Sequence, residues 1–161
     1  MRCMLTTAVK RRFDVTRPPT SRSTEFAAWR SSIAVAILSS VVVGEWDVYV
    51  VDEVLEWIDG LDASIHARVV QAVDLLADIG PALGRPLVDT VAGSKIANMK
   101  ELRPGTVRIL FVFDPWRSSI LLVAGDKAGQ WKAWYEAAIP LAEQRYEIYL
   151  KERAQREASG E

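Results

Sequence analysis

Three consecutive runs of strand-like sequence, separated only by tight turns, constrain the fold of this chain more than any other feature. Residues 98–103 alternate in polarity, residues 107–114 (VRILFVFD) are β-branched and aromatic, and residues 119–125 (SILLVAG) are almost entirely apolar. Pro104-Gly105 and residues 115–118 have the composition of turns. Connections this short join antiparallel neighbours, so we predict an antiparallel meander. Its apolar third run is predicted to be the central strand of the sheet.

A strand and two helices are predicted ahead of this meander. Residues 46–51 alternate and are rich in valine, which favours a strand. Asp52 and Asp62 each precede a segment with apolar residues at helical spacing. We predict that each aspartate caps the N-terminus of a helix, and that these helices end at Asp59 and Ile79.

A long helix is predicted after the meander, over residues 131–154, and Pro140 is expected to bend it or split it in two. Residues 81–97, which are interrupted by glycine and proline, are predicted to form a loop. The order is therefore strand, helix, helix, three strands, helix. This order predicts an α+β fold with a small, antiparallel-rich sheet. The first strand pairs within that sheet, and the two early helices pack on one of its faces.

Residues 1–45 differ in composition from the rest of the chain. Residues 11–24 are rich in Arg, Pro, Ser and Thr, a composition that buries little apolar surface. The apolar run at residues 33–43 is shorter than the ~20 residues that a membrane-spanning helix needs. We expect residues 1–45 to be disordered, or to be an extension from an upstream start codon, and a membrane anchor is the weaker alternative. Residues 46–161 are expected to form one cytoplasmic domain with no membrane contact.

Cysteine and histidine are nearly absent, which limits the chemistry available to the chain. Cys3 is the single cysteine and His66 the single histidine. These counts exclude a disulfide framework, a Cys/His metal site and catalysis by a histidine pair. Carboxylates show no clustering that would predict a Mg²⁺ site, so we expect neither a metal nor another cofactor.

Charge is distributed unevenly along the chain. The formal net charge of the whole chain is −1. Residues 46–161 carry 13 basic and 18 acidic residues, whereas residues 85–132 within them carry eight basic and four acidic residues. Because the local potential steers a polyanion, this basic stretch is compatible with a nucleic-acid partner in an otherwise acidic domain.

Several sequence strings, in this order, resemble the Gp49-like branch of the RelE/HigB superfamily of bacterial toxins. They are DEVLEWIDGL, residues 79–103 (IGPALGRPLVDTVAGSKIANMKELR), VRILFVFDP, ILLVAGDK and WYEAAIPLAE. The resemblance begins at Trp46 and covers none of residues 1–45. It implies a RelE-like fold and a type II toxin that cleaves mRNA on the ribosome. It also implies inhibition by a helix-turn-helix (Xre/HigA-like) antitoxin, with operator DNA bound only through that antitoxin.

Four residues are predicted to carry metal-independent RNA cleavage. Arg103 ends one strand and Arg108 begins the next, so the hairpin brings them together, and a phosphate between them would relieve their repulsion. The alternative is a solvated pair held by Glu101 or Asp114. The resemblance implies that Lys127, in the GDK string, stabilises charge or acts as a general acid. Tyr135 is placed to position a phosphate or a 2′-hydroxyl, with a packed tyrosine as its alternative.

Three further residues are predicted to bind RNA without cleaving it. Lys95 and Lys100 are predicted to contact the backbone, although a solvated lysine is an equal alternative at each position. Trp131 is predicted to stack on a base. Because residues 46–161 are more acidic than is usual in this superfamily, a second hypothesis remains open. The domain would then be a catalytically inactive binding module in an antitoxin-bound, autoregulatory complex.

Overall fold

The computed structural model of the protein describes residues 46–126, 129 and 131–160. The elements, in chain order, are β1 (Asp47–Val50), α1 (Asp52–Asp59), α2 (Ala63–Ile79), β2 (Val88–Thr90), β3 (Lys100–Leu102), β4 (Val107–Phe113), β5 (Ser118–Asp126) and α3 (Trp131–Ser159). A short 3-10 turn at Gly80–Ala82 follows α2. The predictions for residues 1–45 and for Lys127 fall outside the described residues.

The five strands form one sheet in the order β1-β5-β4-β3-β2. β1 runs parallel to β5, and every other neighbouring pair is antiparallel. The α+β prediction, the meander of β3, β4 and β5, and the return of β1 into the same sheet are therefore confirmed. The strand predicted to be central, β5, lies between β1 and β4, one place from the middle of the sheet, which β4 occupies.

β2 is a correction to the predicted loop over residues 81–97. Its three residues pair with β3, and this places β2 at the edge of the sheet. Only Val88 of the three is buried, so the strand has no apolar alternation that a sequence reading could detect. These residues form a strand because they hydrogen-bond to β3. The cause is therefore a contact with another strand and not the local sequence.

The helix ends agree with the sequence in part. Asp62 caps α2 as predicted, because its Oδ1 accepts hydrogen bonds from the backbone N–H groups of Ser64 at 3.0 Å and Ile65 at 3.1 Å. Asp52, in contrast, is the first residue of α1, and Val51 takes the N-cap position without a side-chain cap. The acid still favours the helix, since a negative charge in the first turn opposes the positive end of the helix dipole.

Of the two effects expected of Pro140, a bend or a split of the C-terminal helix, the split is wrong. α3 continues through Pro140 and extends to Ser159, five residues beyond the predicted end. Pro140 is exposed. The carbonyl left without its N–H partner therefore lies on the water side of the helix, where solvent replaces the lost hydrogen bond.

The two faces of the sheet carry separate apolar cores. The face covered by α1 and α2 buries side chains that include Val54, Val69, Leu76, Ile109 and Phe111. The opposite face, covered by α3, buries Leu110, Ile120, Ala138, Ala142 and Tyr149 among others. The prediction that the two early helices share one face is confirmed, and α3 has the other face to itself. No helix within the described ranges is long and apolar enough to cross a membrane.

Candidate active site

The candidate site lies where β3 ends, β4 begins, β5 ends and α3 begins. Arg108 pairs with Gly125 across β4 and β5, and Glu101 pairs with Leu110 across β3 and β4. Leu110 belongs to the core under α3, so Glu101 and Arg108 both face that helix. The first turn of α3 brings Trp131, Trp134 and Tyr135 to the same end of this face.

Glu101 is a buried carboxylate at the centre of the site. Only 3% of its surface is exposed. One carboxylate oxygen, Oε1, accepts a hydrogen bond from Nε of Arg103 at 2.7 Å. The other, Oε2, accepts a hydrogen bond from the hydroxyl of Tyr135 at 2.5 Å. The two oxygens are thus divided between a cation at the end of its own strand and a phenol on α3.

Arg103 bridges two acids that would otherwise repel each other. Asp89 and Glu101 are directly opposite on β2 and β3. Nη2 of Arg103 lies 3.0 Å from Oδ2 of Asp89 and also pairs with Glu101. Burial lowers the pKa of Arg103, but the hydrogen bond and the charge of Glu101 outweigh this and raise it above its ordinary value. Arg103 is therefore a firmly held cation that joins the two strands.

Arg108 is a buried cation of a different kind. It is 8% exposed. Nη1 donates to the carbonyl oxygens of Gly105 at 2.8 Å and Val107 at 2.7 Å. Within the described part of the chain, Nε has no hydrogen-bond partner and no carboxylate forms an ion pair with this guanidinium. A buried charge without a counter-ion is costly, so Arg108 favours the approach of an anion.

Aromatic rings form one wall of the site. The guanidinium carbon of Arg108 lies 5.9 Å from the centroid of the Trp131 ring. Trp131 is 53% exposed. Trp134 packs against Gly125, where a Cβ would lie 2.3 Å from the indole nitrogen. This close contact places the first turn of α3, and with it Trp131 and Tyr135, next to the end of β5.

The environment keeps Tyr135 protonated at neutral pH. Burial, and then the hydrogen bond to Glu101 and its charge, raise the pKa of Tyr135 to about 12, although Arg108 and Arg103 act in the opposite direction. The phenol oxygen can still accept a hydrogen bond from a substrate hydroxyl while it donates to Glu101.

Comparisons with known proteins identify the family of this chain. The family model for phage-derived Gp49-like proteins matches residues 56–147. The chain belongs to the Gp49-like family. Two Mycobacterium tuberculosis (strain ATCC 25618 / H37Rv) proteins, provisionally named toxin HigB2 and toxin HigB3, are 49% and 51% identical to it over 105 residues. The resemblance to HigB-type toxins seen in the sequence strings is confirmed by these matches.

The extent of these matches differs between the relatives. The HigB2 match covers 62% of this chain and 52% of HigB2, so the chain spans about half of that relative. The HigB3 match covers 64% of this chain and 92% of HigB3. A chain in the crystal structure of the archaeal RelE–RelB complex from Pyrococcus horikoshii is 17% identical, with a TM-score of 0.45, 53% coverage of this chain and 97% coverage of that chain. That TM-score is too low to support the family assignment, which rests on the sequence matches.

Four predicted residues of this Gp49-like protein come together at the site. Arg103 and Tyr135 meet on Glu101, and Arg108 and Trp131 lie within cation–π distance of each other. The alternative for Arg103, a pairing with Glu101, is present in the structure. Their roles in catalysis and RNA binding stay predictions.

The two predicted lysines within the described residues lie away from this group. Lys100 has the strand parity of Leu102, whose side chain is in the core under α1 and α2, and its Nζ donates to Thr90 Oγ1 at 2.7 Å. The Lys95 side chain is exposed on a loop tied to Glu143, whose carboxylate accepts the Lys95 backbone N–H at 2.6 Å. Glu143 is eight residues along α3 from Tyr135, about 12 Å along the helix axis.

Sequence reasoning did not assign a functional role to Glu101 or Asp89. Glu101 was considered as a counter-ion of Arg103, and its spacing of two residues from Arg103 was the available signal. Asp89 could not be placed because β2 was predicted to be a loop. Among the described residues, no group of three or more His, Cys, Asp or Glu side chains is arranged to hold a metal ion.

Proposed function

We propose that this protein is the toxin of a type II toxin–antitoxin pair, and that it cleaves mRNA on the ribosome without a metal ion. Two observations support the first part: membership of the Gp49-like family, and about half identity to proteins named as HigB toxins. The second part depends on the chemistry of the candidate site.

The observation that carries the proposed cleavage is the buried guanidinium of Arg108, which has no carboxylate partner among the described residues. Its Nε–H is without a partner within the described residues, and no carboxylate there neutralises its charge. A phosphodiester supplies both an acceptor oxygen and a negative charge. Arg103 lies at the same hairpin, but Glu101 and Asp89 already neutralise it. We therefore assign the principal phosphate contact to Arg108 and a supporting contact to Arg103.

The proposed reaction uses the ribose 2′-hydroxyl as the nucleophile. Its oxygen attacks the adjacent phosphorus and the 5′-oxygen leaves, so negative charge builds up on the non-bridging oxygens. A cation fixed in advance at that position stabilises the transition state more than the ground state. Arg108 is proposed to be this cation, and Lys127 is proposed to assist it. Trp131 offers an exposed ring on which a base can stack.

The proposed partners follow from the same family. A helix-turn-helix (Xre/HigA-like) antitoxin would hold the protein inactive, and operator DNA would be bound only through that antitoxin. The free toxin would act on mRNA at the ribosome, and hence in the cytoplasm. Lys95 and Lys100 are proposed to contact the backbone of mRNA or ribosomal RNA away from the scissile phosphate.

Induced expression tests the toxin assignment. The full chain is expressed in a bacterial host with and without the small helix-turn-helix protein encoded beside it, and growth is followed. We expect growth arrest that the neighbouring protein relieves. Absence of arrest from folded, soluble protein would contradict the toxin assignment.

Substitution of Arg108 tests the cleavage site. Arg108→Ala removes the buried cation, so mRNA cleavage in a purified bacterial translation system should fall by about 100-fold or more. Arg156→Ala removes an arginine in the last turn of α3 and is the matched control, with cleavage expected to match wild type. Circular dichroism verifies that both variants are folded. Full activity in folded Arg108→Ala would refute the site.

An inactive binding module is the second candidate function, and the acidity of the site favours it. Glu101 and Asp89 place two carboxylates beside the proposed phosphate position. Residues 46–161 also carry five more acidic than basic residues. A protein that binds the neighbouring antitoxin tightly but leaves mRNA intact in the translation system would support this candidate over the nuclease.

A further inference from the structure

Two tyrosine–carboxylate pairs in this protein have the same hydrogen bond but different surroundings. Tyr149 donates to Asp114 at 2.8 Å, and Asp114 also accepts the backbone N–H groups of Trp116 and Ser118. Tyr149 belongs to α3, and both residues of this pair are buried. Tyr135 donates to Glu101 at the end of the sheet, is only half-buried, and lies beside the exposed ring of Trp131. The hydrogen bond of Tyr135 is therefore part-buried, whereas that of Tyr149 is fully buried.

We propose that Glu101 is the proton acceptor for RNA cleavage and acts through the hydroxyl of Tyr135. This inference rests on the proposed nuclease function and adds a role for a residue that the sequence reading had treated only as a counter-ion. Glu101 is a positioning residue in this scheme, because it touches Tyr135 and not the RNA.

The proposed step moves two protons together. The 2′-hydroxyl oxygen bonds to phosphorus while its proton passes to Oη of Tyr135, and the proton of Tyr135 passes to Oε2 of Glu101. The bond from phosphorus to the 5′-oxygen breaks, and that oxygen leaves with the electron pair and takes a proton from water. Glu101 then returns its proton, through Tyr135, to the hydroxide so formed. The products are a 2′,3′-cyclic phosphate and a 5′-hydroxyl.

The groups around Glu101 suit this role. Arg103 is hydrogen-bonded to Oε1, which leaves Oε2 for Tyr135. Asp89 faces Glu101 from β2, and Arg108 lies on β4 close enough to act electrostatically on Tyr135. Because the high pKa of Tyr135 makes a phenolate scarce at neutral pH, a neutral phenol that passes a proton on is the species that is present.

The structure supplies a matched set of variants. Glu101→Gln keeps the shape of the side chain but cannot accept the proton as a carboxylate does. Tyr135→Phe removes the relaying hydroxyl and leaves Glu101 in place. Tyr149→Phe removes the equivalent hydroxyl from the buried pair and serves as the control for general loss of stability.

Single-turnover cleavage of a reporter mRNA, in mixtures of H₂O and D₂O, tests the relay. For wild type, the plot of cleavage rate against deuterium fraction should bow below the straight line that joins the rates in pure H₂O and pure D₂O, since two protons move in one step. Glu101→Gln and Tyr135→Phe should each cleave about 100-fold more slowly and lose the curvature. The double variant should be no slower than the slower single variant, because the two residues act as one unit. Tyr149→Phe should retain the wild-type rate and curvature.

Each outcome separates the relay from the nuclease assignment. No cleavage by wild type would overturn the proposed function itself. Wild-type cleavage with a full rate or retained curvature in Glu101→Gln would overturn the relay alone. If Glu101→Gln does not fold, Tyr135→Phe decides, and its retention of rate or curvature would equally overturn the relay. Additive losses in the double variant would also do so.

Discussion

At the residue scale, the ionisation of Tyr135 reports directly on its environment. Its pKa is raised to about 12, first by burial and then by the hydrogen bond to Glu101. A group whose folded-state pKa lies above the ordinary value near 10 stabilises the fold below pH 10. That contribution should be lost as the pH rises from 10 to 12.

Ultraviolet titration of the four tyrosines tests this environment. Subtracting the titration of Tyr135→Phe from that of wild type isolates the ionisation of Tyr135. We expect the difference to rise near pH 12, and a rise near pH 10 would show that Tyr135 is neither buried nor bonded to Glu101 in solution as described. Urea unfolding should also show that Tyr135→Phe loses less stability than wild type between pH 10 and pH 12.

The hydrogen bond between Tyr149 and Asp114 is expected to contribute to the free energy of unfolding. Tyr149→Phe removes a hydrogen bond to a buried carboxylate, and the free energy of unfolding should fall by about 1.5–3 kcal/mol. Tyr146 stacks on Tyr149, but its hydroxyl forms no hydrogen bond with any described residue. Tyr146→Phe is therefore the matched control and should change stability by less than about 0.5 kcal/mol. Equal losses from both variants in urea unfolding would contradict the assigned hydrogen bond.

At the element scale, the contact between Trp134 and Gly125 decides where α3 begins relative to the sheet. A Cβ at position 125 would lie 2.3 Å from the indole nitrogen of Trp134, closer than any real side chain allows. A larger residue would force either the Trp134 side chain or the first turn of α3 to shift. This strand glycine is therefore required because another element approaches it closely.

Gly125→Ala should move the first turn of α3 and with it Trp131 and Tyr135. We expect the free energy of unfolding to fall by about 1–3 kcal/mol. Gly84→Ala is the control, because nothing lies within 4 Å of its added methyl group and its backbone is not left-handed. That change should be neutral or stabilising by up to about 1 kcal/mol. A Gly125→Ala protein as stable as Gly84→Ala would show that α3 does not sit as described.

At the scale of the whole molecule, few cations are available to bind RNA. Residues 85–132 hold eight basic side chains, and Asp89 and Glu101 already engage Arg103. Affinity for a single strand falls with salt by about 0.7 logarithmic units per neutralised phosphate for each tenfold rise in salt. A small number of contacts therefore predicts a shallow salt dependence and weak binding by the isolated protein.

We predict that the slope of log affinity against log salt is no steeper than about −6 for a single-stranded RNA, even if all eight side chains take part. Fluorescence anisotropy at several salt concentrations measures it. The control is a chain that begins at residue 44, because residues 1–45 carry seven further Lys and Arg residues. A slope steeper than −6 that becomes shallow in the shorter chain would assign the extra contacts to residues 1–45.

The sequence by itself determined the features whose causes are local. Turn chemistry and strand-like composition predicted the meander, and the capping aspartate predicted the start of α2. Strand parity separated Lys100 from Glu101 and Arg103, because alternate side chains must point to opposite faces. The sequence strings also predicted the family, and the comparisons confirmed it.

Only the tertiary structure decided the features whose causes are distant in the chain. β2 forms because β3 offers an edge, and it brings Asp89 to Arg103. The two arginines of the hairpin therefore differ, since one is neutralised from a neighbouring strand while Arg108 is buried without a described counter-ion. Tyr135 meets Glu101 across 34 residues of sequence because Gly125 lets α3 approach the sheet. Local sequence patterns cannot predict these contacts, because each contact forms between two elements that are distant in the chain and come together only in the folded protein.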